Sequence, residues 1–449
     1  MISPAPSPVS VSTPSLRHRS SCTSSTASAR ILAGGIALAA LALSPAARAA
    51  APAVAWNPPG LPPPPASGPA LTQGAYLKPE QGQAMLDAAL ARFPDRAAWE
   101  AYGAHVRTRM LAALNLTPLP QRTPLNPAIR QRRTYDGYSV ENVAFESIPG
   151  YWVTGNLYRP TVARPPYAAV LSTHGHYRKI EKNEDYDNHA RFWPGLQARC
   201  ASLARMGAVV LSIDMFAYGE SMALVGQDAH RTPLALTLHC WNSMRALDLL
   251  LSLDGVDPAR VAVSGESGGG TQTFLLAALD PRVAVSAPVV MVSSYFFGGC
   301  ACESGLPIHR SADHFVNNAM IAALSAPRPL LLVSDGKDWT QHNPTIEFPF
   351  LQKIYGYYGA TAQVANVHLP DEGHDYGPSK RAAVYRFFAE KLGLNLAAVL
   401  DAQGKIDESR VTPEKSAQLR VFTADFPIPA NALHDVASIE RALKKLQQQ

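Results

Sequence analysis

The segment Arg260-Val261-Ala262-Val263-Ser264-Gly265-Glu266-Ser267-Gly268-Gly269-Gly270-Thr271 constrains this chain more than any other. A short apolar run with β-branched residues passes directly into glycines and then into 271–279, which reads as a helix. Strand, tight turn and helix in that order call for a sheet whose strands are followed by covering helices. Gly265 and Gly269 flank Ser267 in a G-x-S-x-G arrangement, in which the serine sits on a strained turn and neighbouring backbone comes too close for a Cβ. Ser267 is therefore read as a nucleophile, against the plainer reading of an ordinary Gly-Ser turn. The run is not a dinucleotide site, because Ser267 takes the second glycine position of G-x-G-x-x-G.

The rest of the chain fits such a sheet. Runs at 168–171, 208–213, 261–263, 283–290, 330–333 and 364–369 are short and apolar, and helical segments separate them. One of these, with Leu234, Leu238, Trp241, Met244, Leu247 and Leu251 three or four apart, is a helix with one buried face. Ahead of them, 140–145 and 151–158 read as antiparallel strands joined at Pro149-Gly150. The expected fold class is α/β, a mostly parallel central sheet covered by helices on both faces. Residues 78–116 carry Met85, Leu86, Leu90, Phe93, Trp99, Val106, Met110 and Leu114 at helical spacing and predict two or three amphipathic helices as a cover. No internal repeat is present.

Net charge of +5 over 449 residues suggests a nucleic-acid or membrane partner until it is located. Arg17, Arg19, Arg30 and Arg48 flank or follow an apolar run at 31–43, and Ala47-Arg48-Ala49 fits a small-residue cleavage site. The run is too short to span a bilayer, which takes roughly 20 residues. It is read as a signal peptide cleaved near Ala49, which predicts a periplasmic or secreted protein with no membrane association after cleavage. Removing it leaves a charge of about +1, so no nucleic-acid partner is expected. Pro58-Pro59 and Pro62 to Pro65 then mark an extended spacer. The predicted organisation is 1–49 signal, 50–77 Pro-rich linker, 78–135 helical extension, 136–395 catalytic domain and 396–449 C-terminal extension. In the last, 436–446 reads as a helix, packed on the domain or binding a partner.

A serine hydroxyl needs a base to take its proton and an acid to orient that base. The run 330–333 leads into Ser334-Asp335-Gly336-Lys337-Asp338-Trp339, and 364–369 leads into Asp371-Glu372-Gly373-His374-Asp375. His374 is taken as the base. Asp338 is taken as the acid, with Asp335 as the alternative, since Gly336 lets the loop turn before Asp338 reaches the histidine. The oxyanion donors are assigned to the N–H groups of Gly268, after the nucleophile, and of His176, in His174-Gly175-His176 after the run 168–171. The side chains of His174 and His176 are read as fixing their loop by hydrogen bonds rather than ligating zinc, because no third ligand at recognisable spacing is evident. No metal or organic cofactor is required. In Tyr295-Phe296-Phe297-Gly298-Gly299-Cys300-Ala301-Cys302-Glu303, Phe296 is a candidate pocket wall and Glu303 a candidate partner for a sugar hydroxyl. Trp339 is a candidate stacking surface. Cys200, Cys240, Cys300 and Cys302 permit three full disulfide pairings, and a Cys300–Cys302 bridge would close a very small ring.

These residues resemble the α/β-hydrolase superfamily, and more closely a bacterial group related to acetyl xylan esterases and dienelactone hydrolases. The likeness covers roughly 138–392 and rests on Gly150-Tyr151-Trp152-Val153-Thr154-Gly155-Asn156-Leu157-Tyr158-Arg159-Pro160, Asp214-Met215-Phe216-Ala217-Tyr218-Gly219-Glu220-Ser221, 265–270, 298–303 and Asp338-Trp339-Thr340. It implies the α/β-hydrolase fold and a triad of Ser267, Asp338 and His374. One departure stands out: acetyl xylan esterases have an aromatic residue after the His-Gly pair, where this chain has His176 and then Tyr177. Together with the signal peptide this is read as an exported serine carboxylesterase, and an exported esterase without a membrane anchor suits a small-molecule or oligosaccharide partner carrying acetyl or uronate esters. An exported peptidase of the same fold and a non-catalytic carbohydrate-binding scaffold are the alternatives. The propeller of prolyl oligopeptidase-type relatives would need several hundred residues that this chain lacks.

Overall fold

The protein is described by a computed structural model covering residues 56–58, 77–176 and 190–449. The expected signal peptide and most of the Pro-rich segment lie outside these residues, and so does Tyr177.

Nine strands form one sheet: β1 (Ala128–Thr134), β2 (Tyr138–Ile148), β3 (Tyr151–Pro160), β4 (Tyr167–Ser172), β5 (Ala208–Ile213), β6 (Val256–Glu266), β7 (Val285–Val289), β8 (Leu330–Asp335) and β9 (Val364–Leu369). Their order is β1-β2-β3-β5-β4-β6-β7-β8-β9. The pairs β1/β2, β2/β3 and β3/β5 are antiparallel, and every pair from β5 to β9 is parallel. The loops that leave β4 through β9 thus share one edge of the sheet. Strand order reverses around β4, whose successor β5 lies on one side and β6 on the other, and that switch opens a crevice at the carboxyl ends.

Side-chain alternation explains why helices cover both faces. Along β4, Ala169 and Leu171 join one apolar core while Ala168 and Val170 join the other. The first core takes the helices Leu234–Ser252 and Gly268–Leu279, and the second takes Pro194–Arg205 and Pro378–Leu392. The predicted N-terminal helices are Pro79–Arg92 and Arg96–Ala113, and Met85, Leu86, Trp99, Tyr102, Val106 and Met110 sink into the first core. The terminal helix Val436–Gln447 does the same through Ile439, Leu443 and Leu446, so this end of the chain packs on the domain.

Two readings change. Strand β1, Ala-Ile-Arg-Gln-Arg-Arg-Thr, was not expected because it has no apolar alternation; it is an edge strand whose charged, half-exposed residues discourage further pairing. The start of the proline-rich spacer packs on the domain at Trp56. Trp56 donates its N–H to Asp313 O at 3.0 Å, and its ring meets Phe93, Tyr102 and Phe315 edge-on, so an aromatic residue anchors this stretch.

Candidate active site

Register places the site. Ser172 of β4 is opposite Ser264 of β6, so His176, four residues beyond the first, and Ser267, three beyond the second, emerge side by side. Asp335 of β8 is opposite Leu369 of β9, which brings Asp338 and His374 to the same edge.

Ser267 has φ 55° and ψ −121° and caps the helix Gly268–Leu279. A left-handed backbone at a non-glycine residue is strained, and it persists only when its surroundings enforce it. Here Ser267 N–H donates to Val289 O at 3.1 Å. A Cβ on Gly265 would stand 2.8 Å from Gly269 backbone, and one on Gly269 would stand 2.8 Å from His174 backbone. The elbow and the loop after β4 are therefore in backbone contact, which only glycines permit.

His374 Nδ1 lies 2.6 Å from Asp338 Oδ2. A carboxylate accepts, so Nδ1 carries the hydrogen and Nε2 presents a lone pair. Asp338 is itself held, since its Oδ1 accepts from Thr340 N–H and Thr340 Oγ1, both at 2.6 Å. Asp335, the alternative acid, faces elsewhere. Its Oδ1 accepts from Lys337 N–H at 3.1 Å to make the turn, its Oδ2 lies 3.5 Å from Lys380 Nζ, and burial, with the charge of Asp338 behind it, raises its pKa. The Trp339 ring lies 4.6 Å from that of His374 and 4.0 Å from that of Phe296, so the two aromatics form one wall beside the base.

On the other side, Gly268 N–H stands in the first turn of its helix, where no intrahelical acceptor exists. The His176 ring lies over it, and a Cβ on Gly268 would come within 2.7 Å of His176 Cε1. A buried ion pair that the sequence did not disclose sets this loop. Arg199, from the helix Pro194–Arg205, reaches Glu266 Oε2 at 2.8 Å, Thr173 O at 2.7 Å and Ser172 Oγ at 3.0 Å. Glu266 Oε1 accepts from Gly175 N–H at 2.9 Å. Glu266 is the variable residue before the nucleophile, and its role has no sequence signature.

His174 is fixed as expected: Met215 N–H donates to its Nε2 at 3.1 Å, and its Nδ1 donates to Gly175 O at 3.0 Å. The expectation that no third potential ligand stands near His176 needs correction. His176 Nε2 lies 2.9 Å from His230 Nε2 and 3.0 Å from Cys302 Sγ, and Cys300 completes the group. These residues come from three separate loops, so no spacing announces them; the only local signal is Cys300-Ala301-Cys302. All four cysteines after the expected cleavage point are free thiols. Hydrogen bonding to Cys302 first, then to His176 and His230, holds the Cys300 thiol well below the usual range, with burial opposing. Glu303 is not open to solvent. It is buried, and its Oε2 accepts from Gly299 N–H at 2.7 Å and Cys300 N–H at 3.1 Å while Oε1 lies 3.5 Å from His176 Nδ1.

A serine raised on such an elbow, in a sheet of this order with an acid and a histidine at the ends of the last two strands, defines an α/β-hydrolase. The profile of the acetyl xylan esterase (AXE1) family matches residues 122–297. The solved structure of Methylesterase BT1017 is 38% identical, with a TM-score of 0.75 over 84% of this chain and 82% of that one. The chain belongs to the same family as that protein, among the α/β-hydrolase carbohydrate esterases. The 4-O-methyl-glucuronoyl methylesterase of Neurospora crassa is 26% identical, over 38% of this chain and 52% of that protein. The chain spans little more than half the length of the curated relatives it matches, 58% and 52%. Among the described residues no helix is long and apolar enough to cross a membrane.

Proposed function

We propose that this chain is an exported serine carboxylesterase that cleaves carbohydrate esters, with methyl esters of uronic acids as its leading substrates. The observation that carries the reading is the 2.6 Å contact of His374 Nδ1 with Asp338 Oδ2 at the sheet edge that also bears Ser267 on its left-handed turn. Ser267 Oγ attacks the ester carbonyl as His374 Nε2 takes its proton, and Asp338 steadies the imidazolium. The N–H groups of Gly268 and His176 hold the oxyanion. Collapse of the tetrahedral intermediate releases the alcohol, protonated by His374. His374 then draws a proton from the water that attacks the acyl-enzyme, and it returns that proton to Ser267 Oγ as the serine–acyl bond breaks and the acid leaves. Phe296 and Trp339 wall the acyl or sugar side, and Glu303 acts on the His176 loop rather than on a sugar.

Methyl uronates are favoured over acetyl esters because two relatives carry methylesterase in their names and because His176 stands where acetyl xylan esterases have an aromatic residue. Residues 136–395 are proposed as the catalytic domain, 78–135 and 396–449 as extensions packed on it, and 1–49 as the export signal. The test is a panel of methyl glucuronate and galacturonate esters, acetylated sugars, feruloyl esters and p-nitrophenyl esters. Methanol release that Ser267→Ala abolishes is expected, and no turnover on any ester refutes the reading. N-terminal sequencing of exported protein should begin at Ala50.

A further inference from the structure

Beside the catalytic machinery, four residues from three loops turn their ligand atoms toward one point. His176 follows β4, His230 follows the loop after β5, and Cys300 and Cys302 follow β7. One ligand atom from each lies within 4.8 Å of all the others. His176 Nε2 is 2.9 Å from His230 Nε2 and 3.0 Å from Cys302 Sγ. No step of ester cleavage uses these side chains.

The tautomers are set from outside the group. His230 Nδ1 lies 2.7 Å from Phe216 O, and a carbonyl only accepts, so Nδ1 carries the hydrogen and Nε2 turns a lone pair inward. His176 Nδ1 faces Glu303 Oε1 at 3.5 Å, the carboxylate–histidine pairing that orients metal-bound imidazoles. The other oxygen of Glu303 accepts from Gly299 and Cys300 N–H, and so orders the Cys-Ala-Cys turn as well. His230 and Cys302 are buried, and His176 and Cys300 are partly buried. Nearby, His239 is buried with neither ring nitrogen hydrogen-bonded to a described residue, and its ring lies 5.6 Å from that of His230.

We propose that His176, His230, Cys300 and Cys302 form a closed four-ligand site for a zinc-class divalent cation. Two imidazole nitrogens and two sulfurs are a tetrahedral, borderline-soft set that suits zinc. Bonds of about 2.0–2.1 Å to nitrogen and about 2.3 Å to sulfur give tetrahedral edges of roughly 3.3–3.8 Å. His176 Nε2 stands about half an ångström nearer to His230 Nε2 and to Cys302 Sγ than such edges require, and no pair lies more than about one ångström beyond them, so loading needs only side-chain adjustment. Binding displaces both thiol protons to solvent and leaves no open position for substrate. It would also lock the ring of the residue whose N–H is proposed as an oxyanion donor, tying three loops over the elbow.

The test uses the full exported protein purified without chelator. Elemental analysis should give about one zinc per chain. Replacement by Co²⁺ should produce visible ligand-field bands with a thiolate charge-transfer band, which marks tetrahedral sulfur ligation whatever the activity. The double variant Cys300→Ser/Cys302→Ser should lose both the metal and the charge-transfer band, while Cys240→Ala keeps them. A parent protein that is metal-free and gives no thiolate band with Co²⁺ overturns the proposal. So does a Cys300–Cys302 disulfide in the exported protein, read by mass spectrometry of unreduced peptides.

Discussion

Replacing Glu266 probes how the proposed oxyanion side of the site is held. Glu266 is 3% exposed, and its carboxylate meets Arg199 Nη1 at 2.8 Å and Gly175 N–H at 2.9 Å. Arg199 is buried too, so Glu266→Ala strands a guanidinium away from water, a change that costs on the order of 3–5 kcal/mol. The unmet Gly175 N–H contributes about 1–3 kcal/mol more where water cannot reach it. Glu266→Gln keeps an acceptor for Gly175 but not the charge, and should fall between the parent and Glu266→Ala. The double variant Arg199→Met/Glu266→Leu removes the buried charges together and should regain most of the loss, because well-packed apolar groups replace buried ion pairs at little net cost.

Urea unfolding reads the stability, and ester hydrolysis by each folded variant reads the catalysis. Gly175 precedes His176, so loss of its anchor should lower kcat for every ester while KM stays near the parent value. Refutation would be Glu266→Ala within about 1 kcal/mol of the parent, or a double variant no more stable than the single one. Either result would mean that water reaches Arg199 and that the pair is not what fixes the loop.

Asp338→Asn should leave stability unchanged and lower kcat by about 10⁴-fold, because an amide NH₂ facing Nδ1 favours the tautomer whose Nε2 already bears a hydrogen; kinetics on a methyl uronate with a thermal melt checks both halves. Gly268→Ala puts a methyl within 2.7 Å of a His176 ring that His230, Cys302 and Glu303 hold in place, and kcat should fall about 10²–10³-fold as an oxyanion donor shifts. Stability should also drop in mild acid through His309. Burial pushes its pKa down to about 4, whereas the unfolded chain binds that proton near 6.5. Between those values the unfolded state holds more protons, so stability is lost as pH falls, on the order of 3 kcal/mol in all. His309→Gln should flatten that slope in urea titrations at pH 4 to 7. His239 is pushed the same way by burial, so the slope should shrink rather than vanish.

What was legible in the sequence is what depends on neighbours along the chain. The elbow needs a strand, two glycines and a helix in succession, and all are written within twenty residues. The parallel strands showed as apolar runs because both their faces are buried, and Asp338 and His374 showed because each closes a loop just after such a run. β1 stayed hidden because an edge strand needs charge rather than apolar alternation. The Arg199–Glu266 pair stayed hidden because a charged residue on a helix normally reads as a solvated face. His230 and Cys302 approach His176 from 54 and 126 positions away, a distance that only the fold closes.

The two halves of the site differ in how many groups hold them, and the proposed chemistry accounts for the difference. In the proposed mechanism His374 accepts a proton from Ser267, delivers it to the leaving alcohol, then takes one from water and returns it to Ser267; its side chain keeps 32% exposure and is tied to Asp338 at one ring nitrogen. An oxyanion donor must not move, because reorganising dipoles at the moment charge develops would cost what they are there to supply. On that side Gly175 is held by a buried carboxylate, His174 by two backbone groups, and the His176 ring by three side chains. Substitutions around His374 should therefore act mainly on proton transfer and on the pH profile. Those around His176 should scale kcat uniformly across substrates and leave the shape of the pH profile alone. Paired pH profiles for Trp339→Phe and Glu303→Gln test that division, and it fails if Glu303→Gln moves the apparent pKa of kcat while Trp339→Phe only scales it.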